Sequence, residues 1–139
     1  MKVVLGFFMA LLMANGCQEE NLDQVELVYE SMSRGLQKTI TVKDSKLIHK
    51  EEGMRNLTQE KDLTVQQVKD LAALYQKIDL TSYTNLSGEK SERTYDGASH
   101  DNLIIKKEGV EYRTKGFDGG DPPAEIKGLV NKILQLSQK

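Results

Sequence analysis

The chain of 139 residues has one cysteine, two prolines, no tryptophan and only two histidines. A single cysteine has no partner for an intrachain disulfide, so the fold has to be held by its core. Two histidines and no second thiol leave a Ser-His-Asp or Cys-His arrangement almost no material. Neither sign of charge dominates: 19 basic residues stand against 21 acidic ones. That balance argues against nucleic acid, which wants a basic face, and against a basic helix gripping anionic lipid. No apolar run is long enough to cross a hydrocarbon core of about 30 Å as a helix. No internal repeat and no second domain is visible.

What is present starts at the first residue. Met1 to Glu20 reads MKVVLGFFMALLMANGCQEE. Lys2 supplies a positive start, Val3 to Ala14 an apolar run broken only by Gly6, and Cys17 closes a stretch of small residues. The run has the length of a signal peptide and lacks the polar face of a domain helix. Ala14-Asn15-Gly16-Cys17 resembles a bacterial lipobox, and Gln18-Glu19-Glu20 resembles the surface-export signal of Bacteroidota-type lipoproteins. The resemblance implies a diacylglyceryl group on Cys17, cleavage before it and acylation of the new amino group. Each buried acyl methylene contributes about 0.8 kcal/mol, and two or more chains make a stable anchor.

The expected organisation is a signal peptide over 1–16, a lipidated tether over 17–24 and one domain over 25–139. Its expected location is the outer membrane, facing the periplasm or the cell surface. Removing residues 1–16 from 139 leaves 123, enough for one domain that buries about two-thirds of its unfolded surface.

Within that domain Val25, Leu27 and Tyr29 alternate at a strand period. Ser33-Arg34-Gly35 reads as a turn into the β-branched Thr39-Ile40-Thr41-Val42, and Lys43-Asp44-Ser45 as a turn into Lys46–Lys50. Glu51 to Asp62 is charge-rich, a loop or a frayed extra strand. Thr64 and Gln67 have capping-box spacing, with Leu63 and Val68 placed as a hydrophobic staple. Val65, Val68, Leu71, Ala72, Tyr75 and Ile78 predict one apolar helical face ending near Asp79. Residues 81–100 form the longest irregular stretch. Leu103-Ile104-Ile105 and Val110–Thr114 predict a hairpin turning at Lys107-Glu108-Gly109. Asp121 is placed to cap a last helix whose first turn takes Pro122 and Pro123. Ile126, Leu129, Val130, Ile133, Leu134 and Leu136 are its stripe. The expected fold class is α+β, an antiparallel sheet of about five strands in the order βββ-α-ββ-α, with both helices on one face.

Asp96, His100 and Asp101 in YDGASHD, with Asp118 in FDGGD, are weak candidates for a divalent metal site. A turn entering a strand explains them as well. His49, between Ile48 and Lys50, reads as an exposed strand residue. Tyr83, Tyr95 and Phe117 fall in loops, where an aromatic is a better contact candidate than in the core. Together with the turn residues Arg34 and Leu36 they make the expected partner-binding set. No catalytic residue, no nucleic acid and no cofactor beyond lipid on Cys17 is expected. The partners expected are membrane lipid and a protein of the envelope.

The order of Ser33-Arg34-Gly35, Leu63-Thr64 with Leu71 and Leu74, Asp96-Gly97, and Pro122-Pro123 with Leu129-Val130 is similar to that of emfourin-type domains. These are small α+β proteins that include inhibitors of thermolysin-like metallopeptidases. The similarity spans about residues 25–136, and it also covers lipoprotein domains of Bacteroidota. It implies an α+β fold and, as an alternative function, inhibition or chaperoning of a secreted metallopeptidase through the Arg34–Leu36 loop. In those inhibitors that glycine-rich turn is longer. A metal-binding or enzymatic domain is the further alternative.

Overall fold

The computed structural model describes residues 22–87 and 99–138. The leader, Cys17, Tyr95 and Asp96 lie outside the described residues.

Alternation drives the first three strands, β1 (Val25–Ser33), β2 (Leu36–Lys43) and β3 (Lys46–Gly53). They form an antiparallel meander, with Leu27 opposite Val42 and Val42 opposite Leu47. Asp44 and Ser45 both have positive φ between the paired Lys43 and Lys46, as do Glu108 and Gly109 between Lys107 and Val110. Two left-handed residues in a two-residue loop match the twist of the strands they join. Arg34-Gly35 links β1 to β2 in the same two-residue span.

The sheet has seven strands where about five were expected. The order β4-β3-β2-β1-β5-β6 places β1 at the centre, with β4 (Leu57–Asp62) and β6 (Val110–Arg113) at the edges. The two-residue β7 (Phe117–Asp118) pairs with the start of β5 (His100–Lys107), on the side that β6 occupies further along. β4 arises from the charge-rich segment after Glu51. An edge strand has little to bury, and charge on it deters pairing with another chain, so it carries no apolar alternation.

Core residues come from one face of the sheet. Leu27, Tyr29, Ile40, Val42, Leu47, Leu103 and Ile105 meet residues of α1 (Val65–Gln76) and α2 (Lys127–Ser137). The capping box on α1 is complete: Thr64 Oγ1 accepts from Gln67 N–H at 3.1 Å, and Gln67 Oε1 accepts from Thr64 N–H at 2.9 Å. Leu63 is buried and Val68 packs on the core, while Val65, expected on the apolar face, is 73% exposed. The helix ends at Gln76, ahead of the expected Asp79.

The start of α2 is a second correction. Ile126 holds the N-cap, and Asp121 does not cap the helix. Asp121 N–H instead donates to Asp118 carbonyl at 3.0 Å, which ends the β7 turn. Pro122 and Pro123 are buried ahead of the helix, and Ile126 N–H closes a turn onto Pro123 carbonyl at 3.1 Å. At the helix–helix contact, Leu74 of α1 lies so close to Gly128 that an added Cβ would sit 3.1 Å from it.

On the face turned away from the helices, Val28 and Ile104 are buried under charged side chains. Arg113 on β6 reaches Glu30 on β1 at 2.9 Å and so spans β5. Glu26 lies 3.7 Å from Lys106 and 3.8 Å from Lys43. Lys and Arg stems under such charged heads are able to cover apolar surface.

Urea unfolding should separate the two kinds of stabilisation. The fully buried Ile133 should lose about 3 kcal/mol on Ile133→Ala. Thr64→Ala, which removes the cap, should cost about 1 kcal/mol. Equal losses would contradict this ranking.

Candidate functional site

Strand register puts a polar row across the helix-side face. Leu57, Glu51, Lys38, Ser31, Asp101 and Phe117 are successive cross-strand partners on β4, β3, β2, β1, β5 and β7. The neighbouring row holds Gln59, His49, Ile40, Tyr29 and Leu103. Side chains two apart on a strand share a face, so both rows point the same way.

Glu51 is only 5% exposed, and both its oxygens are taken. His49 Nε2–H donates to Oε1 at 3.1 Å, and Arg55 Nε–H donates to Oε2 at 2.5 Å, joined there by Nη2. The other ring nitrogen, His49 Nδ1, is buried and has no hydrogen-bond partner among the described residues. Burial alone would push the Glu51 carboxyl up. The hydrogen bond and charge of Arg55, followed by His49, outweigh it and hold the pKa below 4.5.

These side chains line a groove of about 650 Å³ together with Lys38, Leu57 and Gln59. Its other wall is the C-terminal end of α2, at Leu134, Ser137 and Gln138. A hollow of about 490 Å³ continues it along β3 and β4 past Leu47, Glu60 and Lys61. Volumes in this range suit small ligands.

At the other end of the row, Tyr29 hydroxyl donates to Asp101 Oδ2. Burial first, and then Asp101, raise the Tyr29 pKa above the ordinary phenol range, so the hydroxyl remains a donor. Asp101 is 1% exposed, and its Oδ1 has no hydrogen-bond partner among the described residues. Lys38 Nζ lies 5.8 Å from the Tyr29 ring centroid, and this links the two halves of the row.

The expected site residues scatter. Arg34 is exposed at the β1–β2 turn and Leu36 is half-buried beside it. Met54 N–H donates to Gly35 carbonyl at 2.7 Å. Gly53, at φ 120°, has no room for a side chain, since a Cβ there would lie 2.1 Å from that carbonyl oxygen. The β1–β2 and β3–β4 turns are thereby clipped together.

Tyr83 and Phe117, expected as exposed contacts, are core residues. Tyr83 opens a 3₁₀ turn (Tyr83–Asn85), and its hydroxyl donates to Leu103 carbonyl at 2.7 Å. Phe117 is buried because pairing with Asp101 turns it to the helix side. His100 and Asp101 are neighbours on β5, so they face opposite sides of the sheet. His100 pairs with Asp118, so the two share the face away from Asp101. Among the described residues no group of three His, Cys, Asp or Glu could hold a metal ion.

Lys38, His49, Glu51 and Arg55 were not assembled from sequence. His49, read as exposed, has a side chain only 13% exposed. The signal was the alternation Leu47-x-His49-x-Glu51, which puts all three on the core face. No family model matches the chain, and neither a curated protein nor a solved structure matches it. Among the described residues no helix is long and apolar enough to cross a membrane.

The depressed Glu51 pKa has a definite sign for stability. A carboxyl lowered in the folded state stabilises above its unfolded pKa, and that contribution is lost as pH falls through the folded pKa. Arg55→Ala should therefore be less stable than the parent at pH 7, with the gap closing in acid below pH 4.5. A gap constant with pH would contradict the pairing. Tyr29→Phe leaves Asp101 without its donor and should cost about 2 kcal/mol, read by urea unfolding.

Proposed function

We propose that the chain is a lipid-anchored envelope protein whose domain is a non-catalytic binding module, with the groove beside Glu51 as its site. One observation carries this reading: the groove's charged lining lies toward the end of β1 away from the anchor. The tether after Cys17 enters the domain at Val25, the first residue of the central strand. Glu51 sits in the row of Ser31, six residues further along β1. At about 3.3 Å per residue that is about 20 Å from the anchored end. Arg55, in the following turn, lies beyond it. An anchor at one end and a lined groove toward the other suit capture of a partner or ligand away from the lipid surface.

A second reading, inhibition of a secreted metallopeptidase, has the geometry of the β1–β2 turn in its favour. Arg34 projects from the far end of the sheet, on a turn held by the Met54–Gly35 hydrogen bond. A fixed loop is what a protease-facing segment needs, because less ordering is left to binding.

Fatty-acid labelling of cells followed by membrane fractionation tests the anchor. Cys17→Ala should abolish the label and release the protein, and unchanged labelling would overturn the anchor. Titrating a thermolysin-like peptidase with the protein tests the second reading. Inhibition lost in Arg34→Ala would support it, and absence of inhibition by the parent would end it.

A further inference from the structure

The geometry points to a ligand class for the groove: a carboxylate with an N–H donor on its α-carbon and an apolar side chain. A free amino acid and the carboxyl end of a peptide share that chemistry. The inference rests on the reading of the domain as a binding module.

Charge supplies the first argument. Glu51 is the cross-strand partner of Lys38, yet its two oxygens are committed to His49 and Arg55. Among the described residues, Lys38 makes no ion pair, and its Nζ lies over the face of the Tyr29 ring. Arg55 engages Glu51 through Nε and Nη2 alone, and its side chain is 66% exposed. The sheet side of the groove therefore has spare positive charge, although it contains a buried carboxylate. A ligand carboxylate is the group that such donors bind in charge-assisted hydrogen bonds.

The opposite wall has the opposite sign. Among the described residues the last turn of α2 contains no basic residue, so no side chain within it offsets the partial negative charge of the helix end. A ligand lying across the groove meets cations at one end and acceptors at the other. A carboxylate with an adjacent N–H has that polarity. Leu57 on β4 and Leu134 on α2 face the space between and offer an apolar side chain its surface.

Along β3–β4 the groove continues past Glu60 and Lys61. Lys46 already neutralises Glu60 at 2.8 Å, so the extension adds no strong field of either sign. It does leave length for residues preceding a carboxyl end.

Calorimetric titration of the full lipidated protein in detergent, with leucine, Gly-Gly-Leu and Gly-Gly-leucinamide, tests the proposal. At least one of the two carboxylates should bind, and the amide should bind at least tenfold more weakly. Lys38→Gln should lose about tenfold in affinity, the scale of one charge-assisted hydrogen bond. Lys38→Arg should retain binding, which separates charge from misfolding, and Lys50→Gln on the far face should leave it unchanged. Tighter binding of the peptide identifies a polypeptide end, and equal binding identifies the free amino acid. Equal affinity for acid and amide, or no effect of Lys38→Gln, overturns the proposal. If no carboxylate binds while a crosslinked envelope partner is still lost in Lys38→Gln, the ligand class falls and the binding module stands.

Discussion

Strand register at β1 is the constraint on which the rest depends. β1 pairs with β2 on one side and β5 on the other, so its seven-residue ladder with β2 fixes which residues of three strands share a face. A slip of one residue would send Leu27 and Tyr29 to the open side and bring Glu26 and Glu30 into the core. The same register extends through β3 to the edge strand. It therefore decides at once where the helices pack and where the polar row lies. The core and the groove are two stretches of a single surface.

Along that surface the chemistry changes. The rows of Leu27 and Tyr29 are mostly apolar toward the sheet centre, whereas the row of Ser31 holds Lys38, Glu51 and Asp101. Apolar residues of the same volume would often be as stable or more so, since burying a charge is costly even when it is paired. The carboxylate of Glu51 is kept soluble in the fold by two donors rather than by water. Among the described residues Lys38 makes no ion pair, and it lines the groove beside Glu51. Such an arrangement fits the binding role proposed for the groove.

Much of the architecture was legible because local signals and burial agreed. The alternation of Val25, Leu27 and Tyr29, the Thr64–Gln67 capping box and the Glu108-Gly109 turn each act within a few residues. β4 was less so, because an edge strand with exposed polar residues lacks periodic contrast. Asp121 was misplaced because its N–H closes the β7 turn before the helix begins. Tyr83 and Phe117 read as loop aromatics because their burial depends on β5, which is distant from Tyr83 in sequence and pairs with Phe117 only once the sheet forms. The groove was hidden for the same reason: Lys38 and Glu51 meet across a hairpin, and Leu134 arrives from the other end of the chain. His49 looked exposed when read beside Ile48 and Lys50, and looks inward when read beside Leu47 and Glu51.

The most direct test is site-specific photocrosslinking of the protein in the cells that make it. A photoreactive residue replaces Leu57 in the groove or Lys50 on the open face, and adducts are read by mass spectrometry. The account expects a defined adduct from position 57 and none from position 50. Adducts from position 50 alone, or equally from both, would contradict the groove as the binding surface.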